Sequence, residues 1–169
     1  MKEMGFRFAA PTEADILELV AEMREADRRE VKRWTGQEIE FEVRHSIEVS
    51  DCVWAARFSD GSLACIFGAC RGNILDGTGV IWELGTKAID RHKKEFWVGS
   101  RVGLEMVCRE MADVGEFVNF VDLEYTAAVR WLERMGAAFS VVVPKRPGFR
   151  GGEFGYFYYP NPYYKKEEV

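Results

Sequence analysis

Histidine is almost missing from this chain, with two among 169 residues, and the four cysteines fall in no ligand pattern. Cys52, Cys65, Cys70 and Cys108 include no pair with the two-residue spacing of a zinc knuckle or a redox motif, and their spacings suggest no disulfide framework. They read as reduced, small apolar fillers, which points to the cytoplasm. With only His45 and His92 beside them, no structural metal site is expected. Long hydrophobic runs are missing too. No stretch approaches the roughly 20 residues of a membrane span, and "MKEMGFRFAAPTEAD" at the N-terminus lacks the apolar run of a signal peptide. An excess of positive charge is also absent: the formal net charge is −5. Non-specific nucleic-acid binding needs a basic face that displaces counterions, so this balance argues against it.

What is present suits one globular domain. Hydrophobic residues make up 47% and charged residues 30% of a chain long enough to bury a sizeable core. No internal repeat or low-complexity linker divides it, so residues 1–160 are expected as a single domain and 161–169 as a charged C-terminal tail. "FRFAA" alternates like a short strand. From Thr12 a helical region follows, with Asp15 placed for a capping box, Ile16, Leu19, Val20 and Met23 as the apolar stripe, and a stop at Gly36. "QEIEFEVRHSIEVSD" fits strand alternation or helical i, i+4 spacing; its Glu and Gln content favours helix. Two apolar runs around Asp60-Gly61 predict a hairpin, and Gly77 to Thr86 predicts a third strand. A helix is expected from about Trp97 to Val114 with Val98, Val102, Met106 or Val107, and Met111 inward. A strand "FVNFVDL", the helix "YTAAVRWLERM", a strand "AAFSVVVP" and a closing strand "EFGYFYYP" complete the order. The fold class is therefore α+β, with a mixed, mostly antiparallel twisted sheet of about six or seven strands and about four helices.

In this order of elements, and most closely over Gly79 to Phe139, the chain resembles the GNAT superfamily of N-acetyltransferases. The stretches "WELGTKAIDRH", "FWVGSR" and "AAVRWLERMGAAF" look, more narrowly, like a phage-encoded GNAT-like family that includes internal virion proteins of podoviruses. The resemblance implies acetyl-CoA as cofactor, held between the strand Val80 to Leu84 and the strand Phe117 to Val121. It implies an amine acceptor, small-molecule or protein, if the chain is an enzyme. Its alternative is a non-catalytic phage virion or assembly protein with phage proteins as partners, in the host cytoplasm or the virion.

The site residues follow from that likeness. Backbone N–H groups around Trp82 to Leu84 would polarise the thioester carbonyl. Glu83, an acid in an apolar strand, is the first candidate base, with Glu124 at a strand-to-helix junction as the weaker one. Glu83 equally reads as an acid on the strand's outer side. The superfamily marks its phosphate site with a spacing like Q-x-x-G-x-G/A at a helix start. Here Gly99, Ser100, Arg101 and Gly103 are the candidates, though Trp97 and Val98 depart from the pattern and the glycines equally read as cap and packing residues. Between Gly85 and Gly103 five bases face two acids, a locally positive stretch suited to an anion. The superfamily pattern N-x-x-A-x-x-x-Y-x-x-x-G ends at Gly136, which puts Ala128 on the alanine but Tyr125 on the asparagine and Leu132 on the tyrosine. The usual proton donor to the leaving thiolate is therefore missing. Trp131 and Leu132 read as core residues of an amphipathic helix.

Overall fold

The structure is a computed structural model and describes residues 5–72 and 76–166; the outermost residues of the expected domain and tail, 1–4 and 167–169, lie outside the described residues. The chain runs β1 (Arg7–Ala9), α1 (Glu13–Glu22), α2 (Glu25–Thr35), α3 (Ile39–Val49), β2 (Cys52–Arg57), β3 (Leu63–Arg71) and β4 (Thr78–Gly85). A short 3-10 turn (Lys87–Asp90) leads into α4 (Lys93–Glu110), followed by β5 (Glu116–Asp122), α5 (Thr126–Met135), β6 (Ala138–Phe139), β7 (Arg146–Pro147) and β8 (Glu153–Pro160). The sheet order is β1-β2-β3-β4-β5-β8-β6, with β7 also on β8. All pairs are antiparallel except β4 with β5. This is the mixed α+β sheet expected, with one more strand and one more α-helix among the described residues.

The first helical region is two helices. Thr12 caps α1 through the expected capping box with Asp15, but at Met23 the backbone turns extended and forms a lone antiparallel bridge with Thr86. The apolar stripe there serves a strand contact that a continuous helix could not make. Residues 39–49 are helical, because Ile39 and Val43 both need burial on one face. The hairpin at Asp60-Gly61 forms, with Gly61 at φ 87°. "AAFSVVVP" differs: only Ala138 and Phe139 pair with the sheet, while Val141 and Val142 are exposed.

Two apolar layers sandwich the sheet. On one face Leu19, Met23, Ile39, Val43, Leu63 and Ile66 pack under α1 and α3. On the other, Phe58, Phe67, Phe96, Val107, Met111 and Phe117 pack under α4. Val107 and Met111 are buried as expected, but the first half of the expected α4 stripe is corrected. Val98 and Val102 face out, and the buried positions are Phe96, Gly99, Gly103, Val107 and Cys108. A Cβ on Gly99 would lie 2.7 Å from the Phe6 ring, and one on Gly103 would lie 3.0 Å from the Phe67 ring. Aromatic rings on the sheet take the space that side chains on the helix would need. Cys52, Cys65 and Cys108 are free and buried, as small fillers should be. No helix among the described residues is long and apolar enough to cross a membrane.

Beyond Pro160 the chain turns back under α4. Asn161 is buried and its Nδ2 donates to the carbonyls of Cys108, Met111 and Val114 at 2.9–3.0 Å. Its two amide hydrogens are shared among the three, and the Met111 carbonyl also accepts the Val114 N–H, so the Cys108 carbonyl in the last turn and the Val114 carbonyl beyond it depend on Asn161 most. Lys165 N–H then bonds the Ala112 carbonyl at 2.8 Å. Asn161→Ala should lose about 1–3 kcal/mol in urea unfolding, the cost of buried acceptors left unpaired. Asn161→Asp should lose more, because its carboxylate would face the same carbonyl oxygens.

Candidate functional site

β4 and β5 pair over only three residues, Thr78 to Val80 with Glu116 to Val118, and then part. Asn119 props the parting: its Nδ2 reaches across to the Ile81 carbonyl at 2.8 Å, while its Oδ1 accepts the Phe120 N–H. Beyond it, α2 holds the strand ends separately. Arg24 N–H donates to the Gly85 carbonyl at 3.0 Å, and Asp27 Oδ2 accepts the Gly85 N–H at 3.0 Å. One turn on, Glu30 Oε2 accepts the Asp122 N–H at 2.9 Å, and Arg33 Nη1 bonds Asp122 Oδ2 at 3.0 Å. Residues 24, 27, 30 and 33 form one row on the helix, so the first half grips β4 and the second half grips β5. From Asp27 to Arg33 the helix rises about 9 Å, against the ~4.8 Å between paired strands.

The parting exposes an edge of β4. Thr78 and Thr86 bond across to β3, Gly72 N–H to the Thr78 carbonyl and Thr86 N–H to the Ala64 carbonyl. Antiparallel bonding alternates, so the even residues of β4 face β3 and the odd residues face away. The outward bonds of Ile81 and Gly85 follow this parity. Glu83 therefore turns its N–H and C=O into the gap, whereas the amides of Trp82 and Leu84 are committed to β3. The expected carbonyl-polarising group narrows to Glu83. Trp82 instead donates its indole N–H to Ser50 Oγ at 2.8 Å, and the Leu84 side chain is buried towards α1 and α3.

The Glu83 side chain occupies the divide between two spaces. One is a cleft of about 740 Å³ lined by Arg24, Asp27, Glu30, Trp34, Phe120 and Tyr125, among others. The other is an apolar pocket of about 110 Å³ under α4. The side chain retains 17% exposure, yet Oε1 is sealed without a hydrogen-bond partner, and the nearest cation, Arg24 Nη2, stands 3.8 Å away. Burial pushes this carboxyl up to about 7; Arg24 opposes the shift and Asp27 adds to it. Burial likewise pushes Glu30 up to about 8, against the hydrogen bond from Asp122 N–H and with Asp27 adding repulsion. Arg24 bonds Asp27 at 2.9 Å and lies over the Tyr125 ring at 5.8 Å. Burial and the neighbouring Asp27 raise the Tyr125 phenol well above its usual value.

No family model matches the chain, and no curated protein matches it. Solved structures do. The spermidine N-acetyltransferase of Vibrio cholerae, in complex with CoA and spermine, superposes with a TM-score of 0.64 at 12% identity, over 93% of this chain and 96% of that one. An acetyltransferase (GNAT family) from Bacillus anthracis gives 0.67 at 10%, over 93% and 95%. The ribosomal-protein-S18-alanine N-acetyltransferase of Escherichia coli gives 0.59 at 14%, over 97% and 98%. The chain has the GNAT fold.

Within the GNAT fold the remaining site expectations fare unequally. Gly99, Ser100, Arg101 and Gly103 do not form a loop at a helix start. The helix begins at Lys93, so these four sit in its second and third turns with their amides spent on carbonyls four residues back. Gly99 and Gly103 are inward packing residues, the Ser100 hydroxyl donates to the Phe96 carbonyl at 2.7 Å, and Arg101 is exposed. The lysine and glutamate run before Trp97 looks like a solvated loop in sequence but is the first turn of α4. Glu124 is exposed, ion-paired to Arg33 at 2.5 Å, and lines neither space. Trp131 and Leu132 are half-buried and line both spaces; Trp131 also packs against the core beside Phe96, as expected, whereas Leu132 is not part of it. Gly136 ends α5 at φ 101°. Arg24, Asp27, Glu30, Asn119 and Asp122 carried no local signal; only the row spacing of three along α2 hinted at a shared face.

The folded chain holds the Glu30 proton to a higher pH than the unfolded chain, where the carboxyl titrates near 4.5. Between those values folding binds a proton, so rising pH favours unfolding. Glu30→Gln, which keeps an acceptor for Asp122 N–H, should remove that penalty. Its stability relative to the unmodified chain should climb from about pH 5 to about pH 8 and level off above, as read by urea unfolding across the series.

Proposed function

We propose that the chain is an acyl-CoA-dependent N-acyltransferase that passes an acyl group, with acetyl as the reference, to the amine of a small cationic acceptor. One observation carries this reading: beyond Val80 and Val118 the strands part, and Glu83 turns its N–H and C=O into the gap with its carboxyl at the divide beside it. The coenzyme thioester supplies an activated carbonyl. The open edge of β4 suits its amide-bearing arm, and the Glu83 N–H is a donor for the carbonyl oxygen. For the anionic end, the unpaired amides of the first turn of α4 and the exposed Lys93 and Lys94 take the place foreseen for Gly99 to Gly103.

Glu83 takes the proton of the acceptor ammonium, a role suited to a carboxyl raised to about 7. Leu132 has no proton for the departing thiolate. Tyr125 is the phenol that lines the cleft beside Arg24 and Asp27, and a thiol of pKa near 8.5 leaves tolerably without one. Asp27 and Glu42 together with Trp34, Trp82 and Phe120 line the acceptor side, a combination that favours a cation. The spermine in the Vibrio cholerae complex is a small cationic amine of this kind.

A second reading draws on Leu132 and on the packed Gly99 and Gly103: a phage or prophage protein of virion or assembly function that keeps the scaffold without catalysis. Its contact surfaces would include the exposed Val141, Val142 and Phe149. Calorimetric titration with acetyl-CoA separates the two. Micromolar binding that weakens in Lys93→Glu supports the enzyme, whereas no heat and no thermal shift at millimolar ligand supports the scaffold. In a binding-competent protein, Glu83→Gln should retain affinity and slow transfer by about 10²- to 10⁴-fold; unchanged turnover would remove Glu83 from the base role.

A further inference from the structure

The pocket of about 110 Å³ under α4 is walled by hydrocarbon and aromatic surface, with Phe8, Phe67, Leu104, Val107 and Met135 among its lining. Packing of native interiors leaves few voids larger than a water molecule, so a space of this size beside the cleft needs an account. Two polar atoms on its lining residues are buried with no protein partner: Glu83 Oε1 and Trp131 Nε1. Buried polar groups nearly always have a partner, and an unmet one is costly. The lining is otherwise almost wholly apolar, which fits a hydrocarbon ligand. Glu83, Ile81, Trp131 and Leu132 line both this pocket and the large cleft. A carbonyl at the exposed edge of Glu83 therefore has the pocket directly beside it.

We infer that this pocket receives the hydrocarbon chain of the transferred acyl group, and that the preferred donor carries about four carbons rather than the two of acetyl. Buried apolar cavities of ~150 Å³ hold benzene; scaled to this volume, the pocket accommodates about four carbon atoms. The acyl oxygen stays on the Glu83 N–H, and the chain lies against Phe67, Leu104, Val107 and the Trp131 ring. Acetyl would leave most of the space unfilled, while an eight-carbon chain exceeds it. Each additional methylene buried should tighten binding about fourfold until the pocket is full.

The inference rests on the acyltransferase reading, and the test keeps the two apart. Acetyl-CoA, butyryl-CoA and octanoyl-CoA are titrated calorimetrically into the full chain, and butyramide, which carries no coenzyme, is followed by the Trp131 indole N–H resonance. The expected result is butyryl-CoA tighter than acetyl-CoA by about tenfold or more, with octanoyl-CoA falling back. Butyramide should shift the Trp131 resonance where acetamide does not. Leu104→Trp, which fills the pocket, should bring the butyryl-to-acetyl ratio within about twofold of unity, and Trp131→Phe, checked for folding by its melting transition, should weaken butyryl-CoA and butyramide alike. Equal affinity for acetyl- and butyryl-CoA would overturn the inference and leave the acyltransferase reading standing. If no coenzyme ester binds but butyramide still shifts Trp131, the pocket survives and that reading falls. If neither binds, the pocket is only a packing defect.

Discussion

The polar row on α2 is the constraint from which the site's geometry follows. Paired strands normally keep bonding until their hydrogen-bonding groups run out. Here the groups at the end of β4 and at the end of β5 are taken by different turns of one helix: the Gly85 backbone by Arg24 and Asp27, the Asp122 N–H by Glu30 and the Asp122 carboxylate by Arg33. A helix is stiff and rises a set distance per residue, so it fixes the separation of the two strand ends. Asn119 supplies the last bond across the narrow end, where the ladder stops. With both ends satisfied, the gap holds open without leaving those strand termini unpaired in the interior, which would be costly.

The same row sets the electrostatics. Four carboxylates, Asp27, Glu30, Glu83 and Asp122, gather around two guanidinium groups, Arg24 and Arg33. Arg24 commits its short contact to Asp27, and Arg33 commits its own to Asp122 and Glu124. At Glu30 and Glu83 burial outweighs the opposing influence, the Asp122 N–H bond at one and Arg24 at the other, and Asp27 adds repulsion to both, which is why both rise. The structural clamp and the raised carboxyl at the centre of the cleft are thus consequences of one arrangement. Tyr125 belongs to it too, held at the start of α5 beside Arg24 and Asp27.

Much of this was legible along the chain, and the misreadings have local physical causes. The capping box at Thr12, the turn at Asp60-Gly61 and the stop at Gly136 depend on neighbouring residues alone, so each was readable. α4 misled twice. Its first turn is rich in lysine and glutamate, which solvent-facing helix and loop share, so its start was set too late. Its valines suggested an inward stripe, but Val98 and Val102 face out and glycines face in. The reason lies outside the helix: Phe6 and Phe67 rise from other elements into the room that side chains at 99 and 103 would fill.

The sequence by itself determined the order of elements, the α+β class and the place of Glu83 in an apolar strand, because periodicity, caps and turns act over a few residues. It also showed the leucine at 132 where the resembling family has tyrosine. Only the tertiary structure decided what those residues meet. Which amide of β4 faces the gap depends on the parity of pairing with β3, and the carboxyl of Glu83 is raised by surroundings drawn from α2, α4 and α5. Contacts between residues far apart in the chain, such as the 92 positions from Glu30 to Asp122, leave no trace in local pattern. Packing brings those groups together, and packing is a property of the whole chain.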